Sequence, residues 1–160
     1  MIRKAEPSEI EPLARLWHEA WRDGHGPIAP AGLVKARTLA SFAARLAPAL
    51  SDTFVAGLAD APAGFFVLRD DEVYQFFVAR AARGSGFAAL LMAAAEAELA
   101  RRGIEAAWLD CAVGNDRAAR FYEKCGWRNA RRHLNRLETS EGVFEVEHWR
   151  FEKEMARSSQ

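Results

Sequence analysis

The run Arg83-Gly84-Ser85-Gly86-Phe87-Ala88 constrains this chain more than any other segment. It follows a hydrophobic, strand-like stretch from Glu72 to Ala79 and opens an Ala-rich segment ending at Gly103, in which Phe87, Leu90, Leu91 and Ala94 recur at helical spacing. Glycines at a strand-to-helix turn let consecutive backbone N–H groups face one point, and the helix behind adds its own unpaired N–H groups and the positive end of its dipole. That geometry favours a phosphate-bearing ligand, and the competing reading is that two glycines merely turn the chain. A Walker loop would end in Gly-Lys-Ser/Thr, whereas Gly86 is followed by Phe87-Ala88, so both the lysine and the hydroxyl are missing. A G-x-G-x-x-A dinucleotide fingerprint fits Gly84, Gly86 and Ala89, with Asp110 downstream. Such a fingerprint should open a series of parallel βαβ units, but here three antiparallel strand signals precede it and too little chain follows.

Those strand signals are Thr53 to Leu58, Ala63 to Arg69 and Glu72 to Ala79, separated by the turns Asp60-Ala61-Pro62 and Asp70-Asp71. Upstream, residues 2–5 read as a short strand, and Ser8 and Glu11 have capping-box spacing for a helix whose buried stripe is Ile10, Leu13, Ala14, Trp17, Ala20 and Trp21. That helix should stop near Asp23-Gly24, and one further helix is expected from Leu33 to Leu46. Downstream come a strand at Glu105 to Val113 and a short helix capped by Asn115. Two last strands, Trp127 to Glu138 and Val143 to Glu154, flank the turn at Ser140-Glu141-Gly142. The order β, α, α, β, β, β, α, β, α, β, β predicts an α/β (α+β) protein, with one mixed, mostly antiparallel sheet flanked by helices. A single domain is expected over residues 1–155, with 156–160 as a frayed tail.

Composition narrows the function. The chain has 160 residues, 50% of them hydrophobic, with 22 basic and 22 acidic side chains. One core and one site fit that length. A neutral total argues against nucleic acid or an anionic membrane as partner, and Arg131, Arg132 and Arg136 read as a solvated strand face. Cys111 and Cys125 lack zinc or redox spacing, and the four histidines form no metal pair, so no metal is expected. The N-terminus carries no apolar stretch of signal-peptide or membrane-spanning length, which points to the cytoplasm.

The loop and a second block, Asn115-Asp116-Arg117-Ala118-Ala119-Arg120-Phe121-Tyr122-Glu123-Lys124-Cys125-Gly126-Trp127, together resemble the GCN5-related N-acetyltransferase superfamily. Arg83 to Ala88 is similar to its Q/R-x-x-G-x-G/A loop, and the second block to its N-x-x-A-x-x-F-Y-x-x-x-G-F/W segment. The resemblance is strong from Glu72 to Trp127 and only topological before it. Arg80 departs from the pattern, since many members carry proline there.

The resemblance implies the acyl-CoA N-acyltransferase fold and acetyl-coenzyme A as cosubstrate. N–H groups of Arg83, Gly84, Ser85, Gly86, Phe87 and Ala88 would hold the pyrophosphate, with added charge from Arg83. The backbone of Phe76, Phe77 and Val78 would pair with the pantetheine arm in a slot left by the strand at 105–113, and Asn115 would touch the arm unless it serves only as a helix cap. Tyr122 is the expected proton donor to the departing thiolate, against a purely packing role; a backbone N–H near Phe77 or Val78 would polarise the thioester carbonyl. Glu72 matches the position of a general base and should share a strand face with Tyr74 and Phe76, although Asp70-Asp71-Glu72 also reads as a plain polar turn. Trp21, His25 and Tyr74 are expected at the acceptor pocket.

The acceptor stays open among small amines, amino acids, aminoglycosides and protein N-termini or lysines, with a small-molecule amine favoured. A non-catalytic acyl-coenzyme A sensor or subunit, or a different phosphate ligand at the loop, are the alternatives. The final strands offer a surface for a homodimer.

Overall fold

The apolar run Gly64 to Leu68 is buried on both sides, and the sheet is built around it. In the computed structural model, which describes residues 1–157, seven strands form one mixed sheet. Their spatial order is β1 (Ile2–Lys4), β2 (Thr53–Leu58), β3 (Ala61–Arg69), β4 (Glu72–Val78), β5 (Ala106–Ala112), β7 (Gly142–Glu154) and β6 (Arg128–Thr139). Only the β4–β5 pair is parallel. Residues 158–160, part of the tail expected to fray, lie outside the described residues.

Side chains alternate across β3, so Phe65 and Val67 face one layer of helices and Phe66 and Leu68 the other. On the first face α1 (Ile10–His25) and α3 (Leu39–Leu46) contribute Leu13, Trp17, Phe42 and Leu46. On the second, α4 (Phe87–Arg101) and α5 (Asp116–Lys124) pack Leu91, Met92, Leu99 and Tyr122 against Leu109 and Phe151. Each such fully buried side chain stabilises the fold by about 1.5–3 kcal/mol. Gly64 lets α4 sit close to the sheet, because a Cβ there would lie 2.9 Å from the Phe87 ring and 3.0 Å from the Phe77 carbonyl oxygen. Among the described residues no helix is long and apolar enough to cross a membrane.

Three expectations at the N-terminal end are corrected. The Ser8–Glu11 spacing does not cap α1; instead the Glu9 carboxylate accepts the Glu6 N–H at 3.1 Å and pairs with Arg3 of β1 at 2.6 Å, while Glu11 bonds Arg15. α1 runs past Gly24 to His25. The expected Leu33–Leu46 helix is broken into α2 (Ala31–Ala36) and α3, because Thr38 is extended and its Oγ1 accepts the Ser41 N–H at 3.1 Å as an N-cap. Three helices therefore precede β2, and the break leaves Arg37 turned inward at 8% exposure.

Candidate active site

A gap between β4 and β5 organises the site. Glu72 opposite Trp108 is the one registered pair between these strands, whereas β5 pairs with β7 continuously from Ala106 to Ala112. From Val73 onward β4 thus presents an edge that β5 does not cover, and the gap forms part of a cavity of about 690 Å³. Phe76, Phe77 and Val78 line it, as the slot reading requires.

At the Val78 end the chain turns through Arg80–Ala82 into the glycine loop. Gly84 and Gly86 adopt φ of 78° and 83°, the left-handed region that glycine enters without penalty, and no atom lies within 4 Å of where a Cβ would be. The glycines are there for conformation, and they leave open space. Beyond the bond from the Arg83 N–H to the Arg80 carbonyl, none of the N–H groups from Gly84 to Ala89 donates to a backbone partner among the described residues. The Leu90 N–H is the next one engaged. No side chain caps α4, and the Ser85 hydroxyl donates to the Ala82 carbonyl at 2.8 Å. A row of exposed donors at a helix N-terminus fits a diphosphate. Arg83 is half-buried and leans 3.4 Å from Asp23 of α1, which Arg80 holds more closely at 2.7 Å. Burial and the nearby Arg117 cation lower the Arg83 pKa, which marks Arg117 as a second charge beside the loop that sequence reasoning missed.

One face assignment is corrected. Val67 pairs with Gln75 and Leu68 with Val73, so Tyr74 is an extra residue on β4 and the alternation slips there. Phe76 consequently points to the α4/α5 side, stacked on Phe121 at 5.7 Å, while Tyr74 and Phe77 belong to the α1/α3 side. Glu72 and Tyr74 do stay together: the Arg69 guanidinium lies 3.8 Å over the Tyr74 ring and 3.1 Å from the Glu72 carboxylate. Burial raises the Glu72 pKa, with Arg69 opposing and Asp110 and Asp71 reinforcing. Burial alone would raise the Tyr74 phenol too, but Arg45, 3.2 Å from its hydroxyl, and Arg69 outweigh it and bring it below its ordinary value.

Tyr122 lines the same cavity from α5, packed between Phe121 and Phe151 with ring centroids 5.6 Å away on each side. Burial pushes its phenol above the ordinary value, so it stays protonated at neutral pH. Asn115 acts as the N-cap of α5, accepting the Ala118 N–H at 3.5 Å, and its amide sits against Gly24. Trp21 is buried and stacks on His25 at 5.3 Å. His25 Nδ1 donates to the Trp21 carbonyl at 3.2 Å, which leaves Nε2 as an acceptor in the neutral ring. Burial, helped by His148 and Arg37, lowers its pKa to about 4.

The cavity also contains groups that the sequence reading did not bring together. Arg37 and Arg45 both line it. His148 and Asp110 line it as well; outside the lining, His133 faces His148 across β6 and β7 and its Nε2 lies 2.7 Å from Asp110 of β5. The register was available from the sequence, since counting back from the turn at Ser140-Glu141 sets His133 opposite His148. Among the described residues no group of three His, Cys, Asp or Glu side chains is arranged to hold a metal ion.

Comparison with known proteins agrees with this architecture. The acetyltransferase (GNAT) family matches over residues 10–127. No curated protein shows significant sequence similarity to the chain. A GCN5-related N-acetyltransferase from Rhodopseudomonas palustris, described as an aminotransferase of class II, superimposes with TM-score 0.74 at 22% identity, covering 97% of this chain and 95% of that one. The ribosomal-protein-S18-alanine N-acetyltransferase of Escherichia coli gives 0.67 at 18% identity, over 100% and 96%. The PaiA N-acetyltransferase of Thermoplasma acidophilum, in complex with coenzyme A, gives 0.64 at 16% identity, over 92% and 96%. At these identities the likeness is one of fold, and it is the family match across both diagnostic blocks that shows the chain to be a member of the acetyltransferase (GNAT) family of acyltransferases.

Proposed function

We propose that the protein moves the acetyl group of acetyl-coenzyme A to the primary amine of a small molecule by direct attack in a ternary complex. One observation carries most weight: the uncovered edge of β4 leads straight into the unpaired N–H groups from Gly84 to Ala89. A strand-like arm can pair with that edge while a diphosphate is held at the helix start, with Arg83 and Arg117 adding charge. When bound, acetyl-coenzyme A supplies an acetyl group already activated as a thioester.

The chain's own residues then have three tasks. A backbone N–H near Phe77 or Val78 polarises the acyl carbonyl. Tyr122, kept protonated by burial, donates a hydrogen bond toward the sulfur as negative charge develops there. Glu72, whose affinity for a proton is raised by burial, receives the amine proton directly or through water. His25 is a poorer base, since a pKa of about 4 leaves it neutral and weakly basic at pH 7; its free Nε2 instead accepts a hydrogen bond from the incoming amine. Cys111 offers no covalent route, because burial pushes its thiol up to about 12 and the thiolate is the reactive form.

The test is release of free thiol from acetyl-coenzyme A by the purified protein, measured against a library of small amines and a set of peptides. Amine-dependent release that is strongest with small amines supports the proposal. Coenzyme A binding without release from any amine would favour a sensor, and release with peptides alone would favour a protein acetyltransferase. In Glu72→Gln, a pH–rate profile identical to that of the parent would remove Glu72 as the base.

A further inference from the structure

Arg37 is the one buried arginine of the described residues, and it is buried without a partner. Its exposure is 8%, its Nε makes no hydrogen bond, and no carboxylate among the described residues pairs with it. A charge taken out of water without a counter-charge is costly, and folded chains normally compensate it. Arg37 lines the cavity, so what is missing can be supplied by a ligand. Arg45 stands beside it on α3, likewise without an acidic partner among the described residues: its guanidinium donates to the Tyr74 hydroxyl at 3.2 Å and lies 4.5 Å over the Trp17 ring. The third cation there, Arg69, is already engaged by Glu72 at 3.1 Å.

The acceptor end thus holds two uncompensated guanidiniums on an aromatic wall. Burial and the repulsion of Arg45 lower the Arg37 pKa only to about 10, so it remains a cation at pH 7. Its position is fixed by the break between α2 and α3: the Thr38 cap ends one helix and starts the next, and Arg37 is left pointing inward.

Building on the reading of the chain as an amine acetyltransferase, we propose that its acceptor is an amine that also carries a carboxylate, of the amino-acid class, held by Arg37 with Arg45 beside it. With Nε buried, the two terminal N–H groups of the guanidinium remain as parallel donors, which match the two oxygens of a carboxylate. The carboxylate supplies the counter-charge that Arg37 lacks and fixes the amine at a set distance from the Tyr74 bulge of β4. Arg37 is in this account a specificity-determining residue.

The experiment compares matched acceptors of one skeleton: the amino acid, its carboxamide, the amine without the acid group and the phosphonate analogue. The carboxylate should have the highest kcat/KM, roughly 10- to 100-fold above the carboxamide, mostly through KM, as expected for a hydrogen-bonded charge. Arg37→Gln should reduce that preference to within about threefold, the range of a weak neutral bond, and Arg45→Gln should reduce it in part. Coenzyme A affinity, followed by calorimetry, should be the same in all three proteins. A second readout needs no turnover: titrating propionate should shift the arginine Nε–H NMR signal that Arg37→Lys removes. Best turnover of the neutral or phosphonate acceptor, selectivity unchanged in Arg37→Gln, or a propionate-insensitive Arg37 signal would overturn the proposal. Loss of coenzyme A binding in the parent protein would instead strike the acetyl-transfer reading, with the propionate titration still deciding the fate of Arg37.

Discussion

Replacing Ala89 by glutamate should make the free protein more stable and its hold on coenzyme A weaker. Ala89 is exposed, it is the third residue of α4, and the first turn of that helix carries no acidic side chain. A carboxylate there complements the helix dipole and the unpaired N–H groups, for a gain of about 0.3–1 kcal/mol. For a chain of this size that corresponds to a rise in Tm of roughly 1–4 °C. The same carboxylate opposes the two charges of the diphosphate. At a separation on the order of 6 Å, each charge pair costs roughly 0.7 kcal/mol in bulk water and about 3 kcal/mol at an effective dielectric of 20. Two pairs therefore weaken coenzyme A binding by at least about tenfold. Thermal unfolding of the free protein and calorimetry with coenzyme A read the two effects separately. The binding loss should shrink at 1 M salt, where the screening length is about 3 Å. A stabilised variant with unchanged affinity would refute the reasoning, because it would show that the start of α4 carries no ligand charge.

Three further outcomes follow from individual residues. Tyr122→Phe should lower kcat by roughly 10²-fold while leaving the coenzyme A dissociation constant in place, as single-turnover kinetics and calorimetry would show; an unchanged kcat with chemistry rate-limiting would remove Tyr122 from the reaction. His25 should make stability fall with acid: the folded state resists protonation down to about pH 4, the unfolded chain takes up a proton near pH 6.5, and so stability is lost as pH falls through that window, by on the order of 3 kcal/mol at most. His25→Asn should flatten the Tm–pH curve between pH 6.5 and 4, and a curve as steep as the parent's would assign the acid loss elsewhere. Thr38→Ala removes the cap of α3 and should cost about 1 kcal/mol by urea denaturation, whereas no change would mean that the helix break is held by packing alone.

What the sequence made legible was local. The strand, glycine loop and helix from Glu72 to Gly103 are encoded by neighbouring residues, and so is the Asn115 cap, so pattern reading located them. The splay of β4 from β5 was also foreseen, as a requirement of the slot. The bulge at Tyr74 was not, because the run from Glu72 to Val78 alternates acceptably either way and only pairing with Val67 and Leu68 shows the extra residue. The helix break was hidden by the hydrophobic spacing on both sides of Arg37, although Thr38 with Ser41 was a readable cap signal. The grouping of Arg37, Arg45, Tyr74 and Arg69 had no sequence signature, since it depends on how α2 and α3 dock on the end of β4.

Acetyl transfer at this site requires the acyl carrier to lie along the edge of β4 and the start of α4, and amide NMR of the labelled protein during a coenzyme A titration tests this directly. The largest shifts should fall on Gly84 to Ala89 and on Val73 to Val78, the donors and the edge that the fold leaves free. Saturable binding that leaves both segments unmoved, or no binding at all, would contradict it.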